Sequence, residues 1–184
     1  MRRIELLALV LLPLPGSLRA QDTVPPPTPV VQTGSVSPVE STPPPPTPAQ
    51  TQYMDGLRTA GRGIAQLRSG VERVLRLAGR PDSAQRSQAA SRLAGMCGAS
   101  RGFMASGRAK MQPNAYEDST RIKARRLAVR VDSLIRFVPS CETRARRAPD
   151  QTATELLGRL RDYEAALRDF RLAIGLPVKD PTTP

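Results

Sequence analysis

The residues of this 184-residue chain whose types could do chemistry are two cysteines, Cys97 and Cys141, and an unusual excess of arginine. Histidine and tryptophan are absent, and phenylalanine and tyrosine number three each. Without imidazole there is no histidine base, no Ser-His or Cys-His pairing, and no imidazole ligand for zinc, copper or non-haem iron. Scarce aromatics leave few stacking platforms for single-stranded nucleic acid. The acids follow no calcium-loop spacing, and Gly95, Gly98, Gly102 and Gly107 neither follow a strand nor precede the lysine of a nucleotide loop. No catalytic residue, metal ligand or cofactor-binding residue is therefore expected, and the chain reads as non-enzymatic.

If the chain is exported, its even cysteine count invites a disulfide between Cys97 and Cys141. Neither thiol has a Cys-x-x-Cys neighbour, which counts against redox catalysis. The pairing carries a geometric difficulty. In a simple helical hairpin turning at Pro113, Cys97 lies sixteen residues before the turn and Cys141 twenty-eight after it. At ~1.5 Å per residue the two are then offset by roughly 18 Å, far beyond disulfide reach. The pairing predicts that the helix holding Cys97 stops near Gly95 to Gly98, so that the following stretch travels back along the bundle. An intermolecular bond or free thiols are the alternatives.

The charge is the second candidate. Lysine and arginine together number 28 against 16 acids, and all but Lys110, Lys123 and Lys179 are arginine. Arginine's planar fork suits bidentate contact with carboxylate or phosphate. The densest basic stretch holds Arg101, Arg108, Lys110, Arg121, Lys123, Arg125, Arg126 and Arg130 against Glu117 and Asp118 alone. These eight are the candidate partner-binding residues, with Arg144, Arg146 and Arg147 as a second cluster. Most acids have a simpler use. Glu72, Asp82, Glu117, Asp132, Glu142, Glu155 and Glu164 each precede an arginine by four residues, the favourable orientation for pairs along a helix. Such a surface would suit an acidic protein or an anionic membrane surface, including a membrane protein complex. Nucleic acid would use the same charges, but export and the lack of base-reading residues count against it. The competing reading is an ordinary solvated face whose arginine bias follows genomic base composition.

The elements that must carry these residues are legible in patterning. Arg2 and Arg3, an apolar stretch from Ile4 to Leu14, and Ser17-Leu18-Arg19-Ala20 have the layout of a signal peptide over residues 1–20. A retained anchor is the alternative, although Pro13, Pro15 and Gly16 cut the apolar run to about half the ~20 residues a spanning helix needs. Residues 21–50 hold ten prolines, no lysine or arginine, and only Asp22 and Glu40 as charges, which predicts a disordered, polyproline-like linker. The positive charge thus belongs to the segment that follows.

From 51 to 176 apolar residues recur at alternating intervals of three and four. One seam runs Leu57, Ala60, Ile64, Leu67, Val71, Val74, Ala78; another Ala124, Leu127, Val131, Leu134, Val138, Cys141; a third Ala153, Leu156, Leu160, Tyr163, Leu167, Phe170, Ile174. Breaks fall at Gly79-Arg80-Pro81, Pro113 and Pro149, and Pro139 is expected to kink or end its helix. Capping-box spacing places helix starts at Asp82 with Gln85, Asn114 with Glu117, and Thr152 with Glu155. The fold class is all-α: an up-and-down bundle of about four helices, followed by a disordered tail over 177–184.

The second helix is the weak one. Its four glycines, from Gly95 to Gly107, each cost about 1 kcal/mol relative to alanine. Either the helix is interrupted, or small residues let a neighbour approach closely. Residues 98–114 are accordingly the candidate irregular and functional stretch. The expected role is that of an exported binding protein, structural or an extrinsic accessory subunit of a membrane-associated complex. The rival role is a periplasmic small-ligand or stress-response bundle with a cavity near Phe103, Met104 and Met111.

Overall fold

Thr47 opens the helical part of the chain: its hydroxyl accepts from the Gln50 N–H while the Gln50 side chain accepts from the Thr47 N–H, and Pro48 fills the first helical position. The computed structural model describes residues 45–178. The signal peptide, all but the end of the Pro-rich segment, and residues 179–184 of the tail lie outside these residues. Among the described residues there are four α-helices and no strand: α1 (Pro48–Leu77), α2 (Ser83–Lys110), α3 (Asp118–Arg144) and α4 (Pro149–Ala173). The protein is an all-α bundle. Each helix packs on its neighbours in sequence, and α4 closes against α1.

Helix α1 begins three residues inside the segment read as linker, because the capping box at Thr47 outcompetes the local proline content. Asp82 caps α2 as expected, its carboxylate accepting from the Gln85 N–H. The other two starts differ. Asn114 lies in a short 3-10 turn, Pro113–Ala115, and α3 starts at Asp118 without a side-chain cap. Helix α4 starts at Pro149, whose fixed φ suits a first turn, so Thr152 sits inside the helix with its hydroxyl donating to the Ala148 carbonyl. Pro139 does not end α3, which continues to Arg144.

The three heptad seams are the core. Leu67, Val71, Leu127, Val131, Leu134, Leu156, Leu160 and Phe170 are fully buried, with Tyr53 and Met104. At one end of the bundle three aromatics from different elements meet. Tyr53, Tyr116 and Phe170 have ring centroids 5.2 Å apart pairwise, two of the contacts edge-on. Such pairs add roughly 0.5–1.5 kcal/mol each beyond their buried area. The Tyr53 hydroxyl donates to the Ala124 carbonyl at 2.8 Å, tying α1 to α3 across the bundle. Burial pushes this phenol well above its usual range, and burial also raises Tyr163 to about 12. Tyr53→Phe leaves the ring contacts and removes only the donor, so urea unfolding should show a loss of about 1–2 kcal/mol. An unchanged midpoint would mean that the bond contributes nothing.

The second helix resolves in favour of close approach. Helix α2 is unbroken through Gly95, Gly98, Gly102 and Gly107. Gly56 of α1 faces Gly107, Gly63 faces Ser100, and Gly70 faces Leu93, a constant antiparallel register with a period of seven. A Cβ on Gly56 would lie 2.6 Å from the Gly107 carbonyl oxygen, and one on Gly63 2.8 Å from that of Ser100. The two backbones touch, and glycine is what lets them. The sequence expectation of an interruption near Gly95 to Gly98 is thus corrected: the irregular part is only residues 111–117, between α2 and α3.

Candidate functional site

Cys97 on α2 and Cys141 on α3 form a fully buried disulfide with their Cα atoms 6.1 Å apart. The axial difficulty disappears without breaking α2. Cys97 lies thirteen residues before the end of α2 and Cys141 twenty-three after the start of α3. The remaining offset, about 15 Å at ~1.5 Å per residue, is covered by residues 111–117, seven residues that can extend to roughly 23 Å. They run on past the end of α2 along the first turns of α1. Met111 fills the space beside Gly56, and Tyr116 packs on Tyr53.

Of the eight basic residues singled out in the sequence, three are ion-paired between helices. Arg108 contacts Asp132 at 3.0 Å, Arg126 contacts Asp169 at 3.4 Å, and Arg130 contacts Asp162 at 3.2 Å. Arg108 also donates to the Met111 carbonyl, fastening the start of the connection. The other five, Arg101, Lys110, Arg121, Lys123 and Arg125, have no carboxylate partner among the described residues. Arg101, Lys110, Arg121 and Arg125 are exposed, and Lys123 is half-buried. The tertiary structure therefore splits the cluster into bundle clamps and free surface charge.

The expected pairs along single helices are also corrected. Among them only Glu155 with Arg159 forms, at 3.1 Å. Asp132 turns to Arg108 and Glu164 to Arg68 on other helices. A helix exposes its i,i+4 partners to water, whereas a neighbouring helix offers a partner that is already held in place. Glu155 shows the effect most fully. Arg159 and Arg144 both bond it, and the Arg159 hydrogen bond above all holds its carboxyl below the usual range. The Arg159 guanidinium lies 4.6 Å over the Phe137 ring.

A feature that seam counting missed lies on the outward face of α3. Ile122 is 67 % exposed and Val129 49 % exposed. With Arg121 and Arg125 they fall within roughly 100° of arc at ~100° per residue. Two branched apolar side chains and two free guanidiniums thus share one solvent face. The signal was available in the sequence: both apolar residues sit off the Ala124, Leu127, Val131 seam.

No group of three or more potential metal-ligating residues occurs among the described residues, and no helix among them is long and apolar enough to cross a membrane. The interior near Phe103, Met104 and Met111 is tightly packed. Met104 and Met111 are fully buried against Gly63 and Gly56, while Phe103 is 40 % exposed on the outside. No family model, curated protein or solved structure matches the chain.

Proposed function

We propose that the chain is a non-enzymatic, exported helical protein that binds an anionic membrane surface or an acidic protein partner, as a structural or extrinsic accessory subunit of a membrane-associated complex. The observation that carries this reading is the α3 face, where Ile122 and Val129 are exposed beside Arg121 and Arg125, neither arginine having an ion-pair partner among the described residues. Apolar side chains that enter an interface and guanidiniums that meet its anions are the two parts of a surface-seeking helix. Charge supports it more broadly. Seven arginines of residues 45–178 are ion-paired, leaving seventeen basic side chains without a carboxylate partner among the described residues. Export fits the buried Cys97–Cys141 disulfide, since such bonds persist in oxidising compartments. The Pro-rich segment would then act as a spacer between the N-terminus and the bundle.

The test is sedimentation of the chain lacking residues 1–20 with vesicles of phosphatidylglycerol and phosphatidylcholine, alongside recovery of partners from membranes. Anionic vesicles should retain the protein at low salt and release it as salt rises. Arg121→Gln with Arg125→Gln should weaken binding at least tenfold, since each basic residue near such a surface contributes about 1 kcal/mol. Retention by an acidic membrane protein without vesicle binding would select the protein partner. Loss of both, with the fold intact, would end the proposal.

A further inference from the structure

The helical turn at the opposite end of the bundle from Thr47 holds a pocket that the basic-run reading of the sequence did not reveal. It has a volume of about 440 Å³ and is lined by Arg73, Arg76, Arg80, Gln85 and Gln88, with Leu77 and Ala89 as its apolar floor. No acid lines it. None of its three arginines has an ion-pair partner among the described residues. The Glu72 carboxylate, four residues before Arg76, does not pair with it, and the Asp82 carboxylate is engaged as the α2 cap.

All three arginines are exposed at the rim of this open pocket, and with no carboxylate among its lining residues their charges are free to meet an anion. Two of the arginines come from the last turns of α1 and the third from the turn, while both glutamines come from the first turns of α2. Gly79 makes that juxtaposition possible: its φ of 77° is a left-handed conformation open to glycine, and it reverses the chain directly before Arg80. The lining is rich in donors and poor in acceptors. Guanidiniums offer paired N–H groups in a fixed fork, and each glutamine adds an amide. That inventory matches a group carrying more than one charge and three or more acceptor oxygens. A phosphate group has both, whereas a carboxylate has one charge and two oxygens. The volume also exceeds what a bare ion needs, leaving room for an organic substituent.

We infer that the open Arg73–Arg76–Arg80 pocket, flanked by Gln85 and Gln88, is a binding site for a phosphate group, carried either by a lipid headgroup or by a soluble phosphate ester. The site is separate from the α3 face and does not depend on it.

The experiment uses the oxidised chain lacking residues 1–20, with Arg73→Gln and Arg76→Gln combined. Arg161→Gln with Arg168→Gln is the control, removing equal charge from exposed positions on α4. One arm titrates glycerol 3-phosphate by calorimetry, and acetate is the comparison anion. The other arm measures binding to vesicles containing phosphatidic acid in phosphatidylcholine. The pocket variant should lose at least tenfold in affinity in one arm, the control less than twofold, and acetate should bind tenfold or more weakly than the phosphate ester. A pocket-dependent loss in the calorimetric arm identifies a soluble ester, and one confined to vesicles identifies a lipid headgroup. Arg76→Lys, which keeps the charge but not the fork, should lose several-fold. Equal losses for the two double variants, or no binding in either arm, would overturn the site. Because the α3 variants are tested separately, failure here leaves the surface-binding proposal standing, and the reverse also holds.

Discussion

The double variant Cys97→Ala with Cys141→Ala should unfold about 12–16 °C below the oxidised parent. The bond closes a separation of 44 residues, and the chain-entropy relation for a loop of that length predicts ~4 kcal/mol of stabilisation, acting mainly by restricting the unfolded chain. At roughly 3–4 °C per kcal/mol for a domain of this size, the shift follows. Alanine avoids burying a hydroxyl, since both cysteines are fully buried. Each single variant should cost nearly as much as the double, because either removes the same bond. Thermal unfolding followed by circular dichroism, with and without reductant, checks both statements. Parent protein that melts at the same temperature when reduced would show that the link adds no stability.

The second large effect concerns two glycines five residues apart on one helix. Gly107→Ala should destabilise by about 2–3 kcal/mol, because the new methyl would meet backbone atoms of Ala60 and Gly56 and backbone cannot rotate aside. Gly102→Ala should stabilise by ~0.5–1 kcal/mol, since nothing lies within 4 Å of the added atom and alanine is the better helix former. Opposite signs for the same substitution on the same helix separate packing from propensity. Urea denaturation of the two variants provides the comparison. A stabilising Gly107→Ala would mean that the α1–α2 contact is looser than the register of Gly56, Gly63 and Gly70 requires.

The candidate site was legible to a different degree at each residue. Arg101, Lys110, Arg121 and Arg125 stand out by charge density, and they are exposed with no carboxylate partner among the described residues. Arg108, Arg126 and Arg130 belonged to the same run, but they cross to Asp132, Asp169 and Asp162. A run of like charge says how much charge a segment carries. It does not say which way a side chain turns, because one helical turn distributes neighbours around the whole circumference. The pocket at the first turn escaped for the related reason that Arg73, Arg76 and Arg80 are flanked by Glu72 and Asp82, so the local net charge is modest. Only the positions of the two carboxylates, one capping α2 and neither lining the pocket, reveal a wall of one sign.

By itself the amino-acid order determined an all-α bundle of about four helices and the faces that α1, α3 and α4 bury. Those properties follow from a periodicity of three and four in apolar residues, a local quantity that needs no knowledge of neighbours. It also marked Cys97 and Cys141 as partners on chemical grounds. Tertiary structure decided what depends on register between helices: that α2 runs unbroken because Gly107 lies against Gly56, and that residues 111–117 extend the path enough for the cysteines to meet. It decided likewise which arginines are clamps and which are free, since an ion pair between helices is set by an axial offset of a few ångströms. The arginine excess is written in the composition, and its division between holding the bundle and facing a partner is a product of packing.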